Sequence, residues 1–331
     1  MSAPSGILVI AEAEDGVPTA LSREMLGLAR RLADDLGGGV DALLLGEDLG
    51  DSAGELIAFG ADRVHIGDGA PHAVYLAEAW MPRLMEVAGR SPPVVILAGH
   101  TTMGADLAPR LSFRLGTTVA TACIEAEVVE GRLHATRPCY GGAAREVVSF
   151  KTEPAVLTIK AKSQAALDRG DGRRGHVLEL STDIGQTRVR VVERRIEATA
   201  GVRLETAKVI VAGGRGINGH EGFKKAQELA DVLGGAVGAS RVACDLEWCP
   251  PSYQIGLSGR TVAPELYIAL GISGAGQHMA GCGNAKTIVA VNIDPDAQIF
   301  QSSRFGIVGD CHEILPPLID ELRKLKSGRG A

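Results

Sequence analysis

Aromatic residues are scarce in this chain. Six Phe, four Tyr and two Trp make up only 4% of 331 residues, too few for the ring platforms on which single-stranded nucleic acids stack their bases. Positive charge is not in excess either. The 34 Lys and Arg stand against 40 Asp and Glu, a net −6, which argues against the basic surface a DNA or RNA partner needs. The six cysteines contain no CxxC pair and no Cys/His ligand spacing, Cys244 and Cys249 being the nearest two. They read as small buried thiols of a reducing compartment, with no metal site. Long apolar runs are missing as well. Ile7 to Ala11 is far too short for a signal sequence or a membrane span, no basic residue precedes it, and Glu12, Glu14 and Asp15 follow closely. The expectation is a chain with no membrane insertion, cytoplasmic or, after processing, of the mitochondrial matrix.

What is abundant is glycine, with 43 residues, beside a hydrophobic content of 45%. That combination suits an α/β protein with many tight strand–helix turns, and the length suggests two domains. In the first part, strands are expected at 6–12, Val40 to Leu45, Arg63 to Ile66 and Val94 to Ala98. Helices are expected at Leu21 to Leu36, Ala53 to Phe59, Pro71 to Ala88 with an interruption at Pro82, and Ala105 to Leu115. This alternation implies a parallel sheet. His100-Thr101-Thr102 ends a strand, where ligands can bind, but a Thr capping the next helix is the preferred reading. Then come Thr118 to Val129, Leu133 to Pro138, Ala144 to Phe150 and Ala155 to Ile159 with no helix between them, predicting antiparallel strands added to the first domain. Glu130-Gly131-Arg132 makes a hairpin turn. Ser163 to Gly175 is a polar loop, and Arg188 to Glu197 alternates Val with charge as an edge strand would. The boundary falls at Ala198 to Glu205, dividing the chain into an N-terminal α/β domain of 1–200 and a second domain of 201–331.

The second domain restarts the alternation. Strands are expected at Lys208 to Ala212, Ala236 to Ala239, Gln254 to Leu257, Leu266 to Leu270, Thr287 to Asn292 and Ile307-Val308. Helices are expected at Gly219 to Leu233 and Glu313 to Lys326. The pattern predicts a small flavodoxin-like sheet. Its most informative stretch is LYIALGISGAGQHMAG, Leu266 to Gly281. A fully apolar strand breaks into small residues and then into a helix start, whose amides and dipole favour negative charge. With Ser, Gln and His nearby, it suits an anionic, ring-bearing ligand. A second motif, Gly214-Arg215-Gly216-Ile217-Asn218-Gly219, fits GxGxxG between a strand and a helix. The next strand ends in Ser240-Arg241 instead of an acid, so a strict dinucleotide reading makes Arg241 a clamp for a 2′-phosphate. An NADP-dependent oxidoreductase is therefore an alternative, although no hydride-transfer acid or base is evident.

The same residues resemble the signature of the electron-transfer flavoprotein alpha subunit. The resemblance runs through GGRG at 213–216, GASR at 238–241, SGRTVAPELYIA at 258–269, GISGAGQH at 271–278, KTIVAVNIDPDAQIF at 286–300 and FGIVGD at 305–310. It implies one noncovalent FAD in 201–331. Arg215 and Ser240 contact it, and Arg241 lies against the flavin ring. Ile255, Gly256, Leu257 and Ser258 follow, with the Ser258 hydroxyl offered to flavin N5. The commoner family pattern there is QTGK; here Leu257 replaces Gln, Ser258 Thr and Arg260 Lys. Ser273, Gly274, Ala275, Gly276 and Gln277 hold the pyrophosphate and ribityl chain. His278 donates to the flavin pyrimidine oxygen, where reduction places negative charge, so a cation or donor there favours the reduced forms. Asn292 and Asp310 hold the adenosine half, Asp310 being equally a turn-former. The resemblance further implies an electron carrier with no bond chemistry of its own and no catalytic residue. It implies a heterodimer with a beta subunit, and electron traffic from acyl-CoA-type dehydrogenases of fatty acid β-oxidation to a membrane quinone oxidoreductase. An electron-bifurcating variant using NADH is the alternative within the family.

Overall fold

The computed structural model describes residues 6–142, 144–193, 203, 204 and 206–327. The chain divides into two compact units, Met1–Cys139 with Ala144–Arg195, and Tyr140–Ala143 with Ile196–Ala331. Of the boundary expected at Ala198 to Glu205, all but Arg203 and Leu204 lies outside the described residues.

In the first unit, β1 (Ile7–Ala11) leads through a small hairpin, β2 (Ala13–Glu14) and β3 (Val17–Pro18), into α1 (Ala20–Leu36). Then follow β4 (Val40–Gly46), α2 (Ser52–Ala58), β5 (Arg63–Asp68), α3 (Ala77–Arg90), β6 (Val95–Gly99), α4 (Thr102–Leu115) and β7 (Val119–Cys123). A three-stranded antiparallel sheet of β8 (Glu125–Val129), β9 (Arg132–Cys139) and β10 (Ala144–Ser149) comes next, and β11 (Ala155–Ile159) and β12 (His176–Glu179) complete the unit. The main sheet has the order β12-β5-β4-β1-β6-β11-β7 and is parallel at every pairing. Its central strands are buried on both faces. Ile7 and Val9 pack into one core with Met25 and Leu28 of α1, while Leu8 and Ile10 face Leu84 of α3 and Leu111 of α4, the two-residue period of a strand covered on both sides. Among the described residues no helix is long and apolar enough to cross a membrane.

Thr101 caps α4 by accepting from the Gly104 amide at 3.1 Å, as its sequence position suggested. The hairpin between β8 and β9 turns on Glu130 (φ 51°) and Gly131 (φ 75°), two consecutive positive φ values that match strand twist. Three expectations are corrected. β7 and β11, expected among the antiparallel strands, join the parallel sheet, while β8–β10 are the antiparallel strands added to this unit, as a sheet of their own. Pro82 lies inside α3, which starts at Ala77 after a 3₁₀ turn at Ala70–His72. Pro82 removes one helical bond in the second turn, and the helix continues through it. The edge strand is β12, paired with β5; the described part of Arg188 to Glu197 forms no strand, because its alternating valines find no core face to cover.

The second unit runs β13 (Val209–Gly213), α5 (His220–Leu233), β14 (Ala236–Ala239), α6 (Arg241–Asp245), β15 (Leu266–Leu270), α7 (Gly276–Cys282), β16 (Ile288–Asn292), α8 (Ile299–Ser302), β17 (Phe305–Val308) and α9 (Cys311–Ser327). The sheet order is β14-β13-β15-β16-β17, all parallel. Counted within the unit this is 2-1-3-4-5, the flavodoxin-like winding, and its topological switch point lies between β13 and β15. Val211 and Ile268 pack with α5 and α9; Ile210, Ala212, Tyr267 and Ala269 pack on the opposite face with Ile272 and Ile299. Gln254 to Leu257, expected as a strand, makes only isolated bridges, Ala239 with Gln254 and Ile255 with Arg260. The chain doubles back there, the Arg260 amide donating to the Gln254 carbonyl at 2.8 Å.

Candidate functional site

Ligands of open α/β sheets bind outside the carboxyl ends of the strands, at the switch point. Here the loops leaving β13 and β15 meet backbone to backbone at that point. The Gly214 amide donates to the Leu270 carbonyl at 2.8 Å and the Gly216 amide to the Gly271 carbonyl at 3.0 Å. Gly271 has φ 61°, and a Cβ on it would sit 2.6 Å from Gly216 Cα. The two loops can touch only because both are glycine there.

Beyond this crossing the chain forms two further walls. One is α7, preceded by Ser273 and Ala275, with no side-chain cap on its first amides. The other is the doubled-back loop at 254–260, pinned to α7 by the Leu257 amide donating to the Gln277 carbonyl at 2.7 Å. Gly281 permits that approach: a Cβ there would lie 2.3 Å from the Gly256 nitrogen and 2.9 Å from the Arg260 carbonyl oxygen.

The walls enclose a cavity of ≈ 630 Å³, within the range of cofactor sites. Eleven of the residues singled out from the sequence line it: Arg215, Ser240, Arg241, Ile255, Gly256, Leu257, Ser258, Ser273, Ala275, Gln277 and His278. Val242, Gln254, Gly271 and Ile272 line it too and were not singled out, although all but Gly271 adjoin a residue that was. Arg215 is exposed in the turn Arg215–Ile217 and makes no ion pair among the described residues. Arg241 opens α6 and pairs with Asp245 at 3.3 Å across one exposed helical turn, a pairing of little energetic weight. Ser258 Oγ accepts from Gln254 Nε2 at 2.9 Å, which leaves its own proton available to another acceptor.

His278 is the buried polar group of the site, 8% exposed. Its Nε2 is 2.8 Å from the Tyr267 hydroxyl, and its Nδ1 is buried without a well-formed hydrogen bond. Burial pushes its pKa down to about 4, opposed weakly by the nearby Ile255 backbone. The ring is therefore neutral at pH 7. A neutral ring supplies no cation at this position.

Four of the sequence candidates do not line the cavity. Gly274, at φ 82°, is buried against α8, where a Cβ would lie 2.3 Å from the Ile299 nitrogen. Gly276 is the exposed first residue of α7. Asn292 Nδ2 donates to the Ile272 carbonyl at 2.9 Å, and its Oδ1 accepts from the Asp294 amide at 3.0 Å, so it fastens the loop after β15 to the end of β16. Asp310 Oδ1 accepts from the His312 amide at 2.8 Å at the start of α9. Away from these, the Cys244 and Cys249 thiols lie 3.6 Å apart, buried and unbridged.

Comparison with known proteins gives a consistent result. Residues 7–185 match the family model described as the electron transfer flavoprotein domain, and residues 203–283 match the electron transfer flavoprotein FAD-binding domain. The electron transfer flavoprotein subunit alpha of Thermoanaerobacterium thermosaccharolyticum is 42% identical, over 97% of this chain and 98% of its own. That of Bacillus subtilis is 40% identical, over 96% and 98%. The LctC subunit of the lactate dehydrogenase (NAD(+),ferredoxin) of Acetobacterium woodii is 35% identical, over 95% of this chain and 76% of its own.

Proposed function

Because this chain belongs to the electron transfer flavoprotein alpha-subunit family, we propose that the FAD it binds lies in the cavity at the switch point of the second unit. When bound, FAD supplies all the redox chemistry, taking up electrons from one partner and giving them to another. The protein residues hold, orient and shield it. Arg215 and the backbone amides from Ser273 to Gln277 would take the pyrophosphate, since a guanidinium and the open amides of a helix start both favour that charge. Arg241, Ser258 and His278 would meet the ring system, with Ile255 and Ile272 as its apolar floor. Ser240, Gly256, Leu257, Gly274 and Gly276 complete the set in this reading. Asn292 and Asp310 stand beside the adenosine half and act mainly through the loops they tie.

The observation that carries this reading is the buried His278 ring at the cavity wall, its Nδ1 without a well-formed hydrogen bond. A flavin carbonyl would give that nitrogen a better-aligned acceptor than the Ile255 backbone beside it. The remaining features fit: a cavity of ≈ 630 Å³, two guanidinium groups and few bulky side chains at the strand ends.

In this reading the chain acts as an electron carrier in a heterodimer with a beta subunit, in the bacterial cytoplasm. It takes electrons from an acyl-CoA-type dehydrogenase of fatty acid β-oxidation and delivers them to a membrane quinone oxidoreductase. The similarity to the Acetobacterium woodii LctC subunit favours a second reading, an electron-bifurcating pair using NADH, which would have oxidoreductase activity. Co-expression with the beta subunit tests both. One FAD per alpha chain, lost or loosened when Arg215 and His278 are replaced, supports the site; undiminished flavin in that variant refutes it. A second flavin per heterodimer, with NADH-driven reduction of a low-potential acceptor, selects the bifurcating form.

A further inference from the structure

We propose that Tyr267 is a positioning residue for His278: its hydroxyl donates to Nε2 and so fixes the imidazole as the Nδ1–H tautomer, the form that presents a donor to the cofactor. This rests on the reading that FAD occupies the cavity beside His278.

Tyr267 lies on β15, the central strand on which the site is built, with its side chain fully buried. Most of its neighbours on that face are aliphatic, with Cys282 and His278 the polar exceptions, and a Phe would fill the same volume. What the Tyr adds is a hydroxyl, and that hydroxyl lies 2.8 Å from His278 Nε2, with the two ring centroids 6.2 Å apart. Burial holds the phenol protonated, its pKa raised well above the ordinary value. An O–H locked in the core must donate to something. The Cys282 sulfur is also within hydrogen-bonding reach of that hydroxyl, and the thiol's own proton can go to the His278 carbonyl at 3.6 Å or to Met279 Sδ at 4.0 Å. A thiol sulfur is a weak acceptor, whereas a neutral imidazole nitrogen is a good one. With Nε2 accepting, the single proton of the neutral ring is on Nδ1. That nitrogen is buried without a well-aligned hydrogen bond among the described residues, with the Ile255 backbone as the nearby acceptor that competes with the cofactor.

The bond also has a topological role. Tyr267 precedes the Gly271–Gly276 loop and His278 follows it, so the contact ties α7 to the rigid strand across the most open stretch of the site. Electron transfer would then depend on a side chain that never touches the cofactor.

The test uses the alpha–beta heterodimer with ¹⁵N-labelled histidine, the His278 ring signals being identified by their absence in His278→Asn. In the wild type, Nδ1 is expected to carry the proton; a proton on Nε2 would overturn the proposal, and this measurement needs no substitution at Tyr267. In Tyr267→Phe the proton should move to Nε2 or spread over both nitrogens. The flavin reduction potential should shift in the direction that His278→Asn shifts it, and the double variant should shift no further than His278→Asn alone. If His278→Asn moves the potential and Tyr267→Phe leaves it at the wild-type value, Tyr267 does not position the imidazole for the flavin. Should His278→Asn itself leave the potential unchanged, the placement of FAD beside His278 fails, while the ring signals still decide the tautomer.

Discussion

At neutral pH the imidazole of His278 carries no charge, and that has a measurable consequence for stability. Burial depresses its pKa to about 4 from an unfolded value near 6.5. The fold therefore favours the neutral ring. Above pH 6.5 neither state holds the proton and nothing is lost. As the pH falls below 6.5 the unfolded chain takes up a proton that the folded chain refuses, so stability declines until the folded ring also titrates near pH 4. At about 1.36 kcal/mol per unit, a gap of about 2.5 units corresponds to roughly 3 kcal/mol over the whole window. His72 and His100 are depressed by burial too, so the wild-type profile alone would mix several groups. The informative quantity is the difference from His278→Asn, which removes one titration and keeps a polar side chain. Between pH 7 and pH 4.5 the wild type should lose about 2–3 kcal/mol more than the variant in urea unfolding. The His278 ring proton signal should titrate far below the exposed histidines. Parallel stability profiles, or a midpoint near 6.5, would refute a neutral buried imidazole and restore the cationic role that the sequence allowed.

Arg215→Ala removes an exposed guanidinium at the cavity that makes no ion pair among the described residues. Losing a charge-assisted hydrogen bond of about 1.5–3 kcal/mol should weaken FAD about 10- to 100-fold, and equal flavin content after gel filtration would reject that. Gly281→Ala places a Cβ 2.3 Å from the Gly256 nitrogen, between backbones that cannot rotate aside. It should cost about 1–3 kcal/mol and release flavin, whereas Gly89→Ala, where a Cβ meets nothing within 4 Å, should do neither. Asp310→Ala removes the acceptor for the His312 amide and should lower stability by about 1 kcal/mol. An unchanged unfolding midpoint would show that its bond to the turn contributes nothing.

The strands of the second unit were readable because each is a short apolar run closed by glycine or a polar turn: Val209–Gly213, Ala236–Ala239 and Leu266–Leu270 differ little from their expected limits. The alternation marked a parallel sheet, and the flavodoxin-like order expected for it agrees with the structure. Gln254 to Leu257 misled because a strand needs a neighbour at every residue, and that requirement is tertiary. The loop instead satisfies its amides internally and against α7. Pro82 misled for the opposite reason, since a rule about isolated helices meets a helix held by Trp80, Leu84 and Val87 against the sheet. β8–β10 were readable as strands but not as a separate sheet, because period-two burial does not say which partner a strand takes.

The site shows a subtler limit. From the sequence, the glycines after Leu270 leave room for a ligand. In the structure Gly271 and Gly274 are occupied from behind, by the backbones of Gly216 and Ile299. They make room for the protein's own chain, and that crossing frees the neighbouring Ser273, Ala275 and Gln277 to face the cavity. Composition marked the right loop and could not divide its residues between the two tasks, because glycine serves both equally. The same holds for Tyr267. On the strand it counts as one apolar residue among five, and its hydroxyl acquires meaning only from His278, eleven positions further on in another element. A residue that acts on a cofactor through a second side chain leaves no local pattern, so its role becomes visible only when the fold brings the pair together.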